Sequence, residues 1–192
     1  MKTILISGKS GSGKDVFASF LKNELEENGK HTIITHYGDP VKYFAKEYFG
    51  WDGIKDENGR HLLQTLGTEL VRSVLPNYWT GVIVGFLDAM EAHNKFDVAI
   101  IADIRFENEA EIPYEQLEDV TLIRMSRYNP DGTPWINPVL TEEQRNHSSE
   151  TSLDEYNGFD YIIHNDEGLD TLKESARALL IDMKLIEGEI ND

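Results

Sequence analysis

The chain contains no cysteine, so disulfides, thiolate metal ligands and cysteine nucleophiles are excluded. Positive charge is scarce as well: 18 Lys plus Arg face 35 Asp plus Glu, a formal net charge of −17. That balance argues against a nucleic-acid polymer as partner, because binding a phosphate backbone depends on cations that release its counterions. No stretch approaches the ~18 consecutive apolar residues of a membrane span, and the first residues show no charged segment followed by a long apolar one. The expectation is a soluble, intracellular, cytoplasmic chain with no membrane partner. Internal repeats, low-complexity tracts and interdomain linkers are missing too, and 192 residues suit one α/β domain with a single core.

Glycine, by contrast, is concentrated at one place. Residues Gly8 to Asp15 read G-K-S-G-S-G-K-D directly after the apolar run Ile4-Leu5-Ile6. A glycine-rich loop between a strand and a helix turns several backbone N–H groups toward one small volume, and the helix N-terminus adds about half a positive charge there. Lys14 follows Gly13, where it can reach the β- and γ-phosphates of a nucleotide. The expected donor cradle is therefore Gly8, Lys9, Ser10, Gly11, Ser12, Gly13, Lys14, Asp15 and Val16. The loop departs from the common pattern at Asp15, which stands where Ser or Thr offers a hydroxyl to Mg²⁺. A carboxylate can hold that ion directly or through its water. In so acidic a chain the bound nucleotide is expected to be a monomer accompanied by Mg²⁺.

Beyond the loop, Val16, Phe17, Phe20, Leu21 and Leu25 recur at helical spacing, with Asn28-Gly29 as the stop. Thr32 to Tyr37 alternates and is β-branched, predicting a second strand. Asp39-Pro40 reads as an N-cap with proline at the first helical position, opening a short helix that ends near Gly50. A turn-rich, charged loop spans Trp51 to Gly59; then Leu62, Leu63, Leu66, Leu70 and Val74 predict a longer helix, and another covers roughly 79–93. Val98-Ala99-Ile100-Ile101-Ala102 lacks alternation, as a strand buried on both faces does, with Asp103 at its C-terminal edge. Val120 to Met125 and Tyr161 to Ile163 are further strands. Between them, residues 128–158 are polar and carry three prolines and a capping box at Thr141 to Gln144. A last helix is predicted from about Leu169 to Ile186. Five strands interleaved with helices give a three-layer α/β/α fold with a parallel sheet, which binds ligands beyond the carboxyl ends of its strands. The glycine loop and Asp103 are thus expected in one crevice, with Asp15 and Asp103 as candidate Mg²⁺ ligands.

Two short motifs point elsewhere and fail on context. Asn94-Lys95-Phe96-Asp97 matches the guanine-reading N-K-x-D pattern, yet it precedes a strand instead of following one. Asp56-Glu57-Asn58-Gly59 matches D-x-x-G, yet no strand leads into it. The layout instead places helices of residues 38–94 between the second and third strands, and an excursion of residues 128–158 after the fourth. With a core of 1–37, 95–127 and 159–192, those are the positions of the acceptor-binding region and the lid of a nucleoside monophosphate kinase. Such an enzyme needs closure, because transfer to the acceptor must outcompete transfer to water.

The segments S-G-K-S-G-S-G-K-D (Ser7 to Asp15), L-L-Q-T-L-G-T-E-L-V-R (Leu62 to Arg72) with Asn77-Tyr78-Trp79 after it, A-D-I-R (Ala102 to Arg105), M-S-R (Met125 to Arg127), H-S-S-E-T-S-L-D (His147 to Asp154) and F-D-Y-I-I-H-N (Phe159 to Asn165) occur in order along the chain. In these the sequence resembles the bacteriophage-type deoxynucleoside monophosphate kinases and, more distantly, animal phosphomevalonate kinase. The resemblance implies a P-loop kinase fold and ATP-dependent phosphorylation of a deoxynucleoside monophosphate, with Mg²⁺. It implies Lys14 on the donor phosphates and Arg105 as a clamp between donor and acceptor. Arg72 would grip the acceptor phosphate bidentately, and Arg127 would reach the donor phosphates or stack on adenine. Asn165 falls where such folds run a loop along adenine; Asp39, Gln64, Tyr78 and Trp79 fall in the acceptor region. One departure stands out: the lids of better-known nucleoside monophosphate kinases carry several arginines, whereas residues 128–158 hold only Arg145. His147 reads as structural or substrate-adjacent. Another small phosphorylated acceptor, or a non-catalytic nucleotide-binding regulator, are the rival readings, and the chain is compatible with a homodimer.

Overall fold

The computed structural model describes residues 1–188; residues 189–192, the end of the expected core segment, lie outside the described residues. Five strands form one parallel sheet in the order β2-β3-β1-β4-β5: β1 (Lys2–Ser7), β2 (Thr32–Thr35), β3 (Val98–Ile104), β4 (Asp119–Ser126) and β5 (Tyr161–His164). The most apolar strands lie at the centre, where Ile4, Leu5 and Ile6 of β1 are wholly buried between β3 and β4. Alternate side chains of each strand feed two cores. One face packs Ile4, Ile6 and Ile100 against Phe17 and Leu21 of α1 (Lys14–Glu27) and Leu172 and Leu180 of α8 (Leu169–Asp182). The other packs Leu5, Ala99 and Ile101 against Ile83 and Leu87 of α4 (Tyr78–Ala92) and Ala110 of α5 (Glu107–Gln116). This is the expected three-layer α/β/α architecture.

The helical insertion between β2 and β3 has a core of its own. Val41 and Ala45 of α2 (Gly38–Phe49) meet Trp79 of α4 and Leu66 of the segment following α3 (Glu57–Gln64). That segment, Thr65–Arg72, is π-helical, so the single helix expected through Val74 changes register halfway. After β4 the chain makes its excursion through two short helices, α6 (Glu142–Asn146), opened by the expected Thr141–Gln144 capping box, and α7 (Ser148–Thr151).

Several boundaries differ from the sequence reading for physical reasons. α2 starts at Gly38 and leaves Asp39 in its first turn; the capping carboxylate is Asp103, whose two oxygens accept the N–H groups of Tyr37 and Gly38 at 2.7 and 2.9 Å. β2 stops at Thr35, since the next residues turn into that helix. α8 ends at Asp182, and Lys184 takes a left-handed φ of 57° before Ile186. α5 has no counterpart in the sequence reading, because Pro113 interrupts its pattern and it buries only Glu109, Ala110 and Pro113. No helix among the described residues is long and apolar enough to cross a membrane.

At the C-terminal edge of the sheet, Leu5 faces Ile101 but Ser7 faces Ile104, so β3 carries an extra residue there. Such a bulge re-aims the end of a strand, and here Ile104 joins the face of Ile101 while Asp103 reaches the start of α2. Truncating the centre of the sheet should be costly: Ile100→Ala, at a wholly buried site, is expected to lower unfolding free energy by about 2–5 kcal/mol. Ile162→Ala, at a side chain 61% exposed on an edge strand, should change it by less than about 0.5 kcal/mol, both read from urea denaturation.

Candidate active site

β1 delivers the glycine loop to the carboxyl edge of the sheet, and the loop's shape requires its glycines. Gly11 and Gly13 take φ of 81° and 99°, and a Cβ on Gly11 would lie 2.5 Å from the Trp135 ring. Lys14 is buried, its ammonium donating to the carbonyls of Gly8 and Lys9 at 2.6 and 3.0 Å. Burial, and then the neighbouring Arg105, lower its pKa to about 7; a bound phosphate would raise it again. Ser12 Oγ is buried with no partner, and the first turn of α1 opens from Gly13 without a side-chain cap. Unmatched donors at a helix start are what an anion satisfies.

The excursion folds back over this loop. Arg127 lies with its guanidinium carbon 4.5 Å from the centre of the Trp135 ring and donates to Gly11 O at 3.5 Å. Asn137 donates to Ser10 Oγ and Asn165 to Ser12 O, at 3.1 and 3.0 Å. Beneath them is a hollow of about 360 Å³ lined by Ser10, Ser12, Met125, Arg127, Tyr128 and Trp135, among others. Val16 is 40% exposed. Lys9 pairs with Asp154 at 2.7 Å. Arg145 donates to Leu140 O within its own segment, and His147 Nδ1 accepts from Ser149 N, capping α7.

A second hollow of about 220 Å³ lies between the helical insertion and the end of β3, and it brings together Gln64, Arg72, Trp79, Asp103 and Arg105. Trp79 is an inner wall, its indole donating to Gly67 O at 2.9 Å. Tyr78 stands outside the lining, 40% exposed. Asp39 also points away, accepting from His36 and from Lys42 at 3.2 and 2.8 Å. His36 bridges Asp39 to Asp15, and these two partners raise its pKa to about 9. The Asp15 carboxylate remains 82% exposed. That suits Mg²⁺, which keeps most of its waters and takes one or two carboxylates alongside phosphate oxygens. Asp103 keeps a free lone pair on each oxygen but is already committed to α2.

The two arginines share a fixed point that the sequence reading missed. Glu109 is buried and accepts from Arg72 through Oε1 at 2.5 Å, and through Oε2 from the backbone N–H groups of Arg105 and Phe106 at 2.7 and 3.2 Å. Burial pushes its carboxyl up, against the pull of Arg72. Arg72 comes from the last turn of the π-helical segment, a form that concentrates at functional sites. It lies 4.0 Å from the Phe106 ring centre and leaves its Nε without a partner. Lys42 and Lys55 also line this hollow, and burial lowers the pKa of Lys55. Neither was legible: lysines on charged helices and loops are ordinarily solvated, and an acid early in an unrecognised helix carries no signal.

A family model described as deoxynucleotide monophosphate kinase matches residues 53–176. No curated protein matches the chain in sequence. Among solved structures it is similar to an unliganded sugar kinase from Janibacter sp. HTCC2649, at 16% identity and a TM-score of 0.54, covering 98% of this chain and 99% of that one. It is also similar to the thymidylate kinase of Candida albicans, at 13% identity and a TM-score of 0.51, covering 99% and 96%. These likenesses show the fold of P-loop kinases.

Removing one member of a buried pair leaves the other charge unmatched. Glu109→Ala is therefore expected to cost about 3–5 kcal/mol of folding stability, measured by urea denaturation, because Arg72 and two backbone N–H groups lose their acceptor together.

Proposed function

The chain belongs to the deoxynucleotide monophosphate kinase family, and from that premise we propose that it transfers the γ-phosphoryl group of ATP to a deoxynucleoside monophosphate, yielding ADP and the deoxynucleoside diphosphate. One observation carries this reading: Arg105 lines the acceptor-side hollow with Arg72 and also faces the glycine loop, across a small cleft that it lines with Gly8 and Lys9. A donor on one side and an acceptor phosphate on the other would thus share one guanidinium.

Phosphoryl transfer places negative charge on the migrating group and on both flanking oxygens, so catalysis is a matter of positioned donors and cations. On this reading the loop N–H groups and Lys14 hold the β- and γ-phosphates. Arg105 lies across the path of transfer, and Arg72, fixed by Glu109, holds the acceptor phosphate. Trp79, Val41 and Leu63 supply an apolar wall, which favours a flat base over an acyclic acceptor. Arg127 and Trp135 flank the donor side, and Asn165 ties the loop after β5 to the glycine loop. Mg²⁺, held by Asp15 and through water by Asp103, would neutralise charge on the donor phosphates.

Incubation with ATP, Mg²⁺ and a panel of nucleoside monophosphates, with phosphomevalonate included, is expected to release ADP only with a deoxynucleoside monophosphate. Acceptor-independent or phosphomevalonate-specific release would overturn the assignment. Lys14→Ala should lower kcat by about 10²–10³-fold, measured by the same coupled assay.

A further inference from the structure

Near its end the excursion sets a carboxylate against the glycine loop. Glu150, on α7, accepts from the backbone N–H of Ser10 through Oε2 at 2.8 Å and from Arg105 through Oε1 at 2.7 Å. Its side chain is 11% exposed. One carboxylate therefore joins a glycine-loop N–H to the arginine that lines the acceptor-side hollow, and Arg105 adds a contact to Ser149 O at 3.3 Å. Asp154, four residues on, repeats the pattern: its two oxygens take Lys9 at 2.7 Å and Arg124 at 3.4 Å. The supporting segment is lightly anchored. Of residues 145–153 only Leu153 is buried, and α7 is four residues long.

We propose that Glu150 is an internal stand-in for donor phosphate, a positioning residue that holds Arg105 and the glycine loop together until a polyphosphate chain displaces it. The proposal rests on the donor site argued above. The single Ser10 N–H cannot serve Glu150 and a phosphate oxygen at once, and two anions crowded at that point repel strongly where water is scarce. Donor binding is thus an exchange: a phosphate oxygen takes the Ser10 N–H, Glu150 leaves, and Arg105 is freed to face the transferring group. The exchange makes release of α7 a consequence of donor binding, and it lowers the apparent donor affinity by the fraction of molecules in which Glu150 occupies the site.

The test is titration of the full chain with inorganic tripolyphosphate and with ATP, both in magnesium-free buffer, by calorimetry. Glu150→Gln should bind both about three- to tenfold more tightly than the unmodified protein. Glu155→Gln removes the same charge from an exposed side chain of the same segment, and it should leave both affinities within about twofold. A role confined to holding the lid in place predicts weaker binding in Glu150→Gln, and equal or weaker binding overturns the proposal. A second measurement needs no variant: on addition of tripolyphosphate, backbone amides of residues 148–154 should exchange with deuterium faster, against the usual protection by a ligand. Slower or unchanged exchange overturns it. These readouts require no acceptor, so failure of the acceptor panel leaves them interpretable. An active kinase whose Glu150→Gln form binds ATP no better refutes the stand-in alone.

Discussion

A cation meant for phosphate must stay charged and in place while no phosphate is present, and in a half-buried site that requires an anion from the protein itself. Unpaired buried charge is expensive enough to shift its pKa or to pull in water. Here the anions are carboxylates. Glu109 takes Arg72, Glu150 takes Arg105, and Asp154 takes Lys9 and Arg124. Lys14 alone of this group is held only by carbonyl oxygens, and it is the one cation whose pKa burial lowers to about 7. The excess of acid in the composition is thus in part structural, supplying partners to Arg72, Arg105, Lys9 and Arg124.

These partners are of two kinds. Glu109 is locked, buried inside a helix and accepting from two backbone N–H groups besides Arg72. Replacing it with phosphate would abandon all three bonds, so its role is to fix the position of Arg72, whose Nη1 donates in turn to Pro76 O and Asn108 Oδ1. Glu150 is held by two donors on a short, lightly packed helix, and both of those donors suit phosphate. The difference in anchoring separates a scaffold from a replaceable occupant without reference to charge, which is the same in both.

How much of this was legible followed from how local each signal is. The glycine loop, α1 and β3 are written in consecutive residues, and all appear within a few positions of where the pattern put them. Asp103 was legible as a strand-end residue, but its engagement with Tyr37 and Gly38 depends on the bulge between β1 and β3, which a one-residue register change creates and no composition announces. α5 was hidden by Pro113 and by the lack of an apolar stripe, and with it went Glu109. The π-helical turn was hidden for the opposite reason: Leu62, Leu66 and Leu70 keep good helical spacing through it, so nothing in the spacing announces the change of register, and Leu66 still reaches Val41 and Trp79. The grouping of Gln64, Arg72, Trp79 and Arg105 was reached through family resemblance, since residues so far apart are joined only by the completed fold.

A crevice filled by its own acids also changes what selectivity means there. If every cation were bare, any anion of the right size would gain by entering, and a cell offers many. When carboxylates already hold the sites, a ligand gains only the difference between its bonds and theirs. A lone carboxylate gains almost nothing, because it exchanges like for like. A phosphate chain brings more charge and more acceptor oxygens, arranged to reach the loop N–H groups, Lys14 and Arg105 together, so its advantage grows with each bond that a single glutamate cannot make. On this argument the acidic residues raise the threshold for occupation, and the threshold admits polyphosphate while turning away the simpler anions that outnumber it.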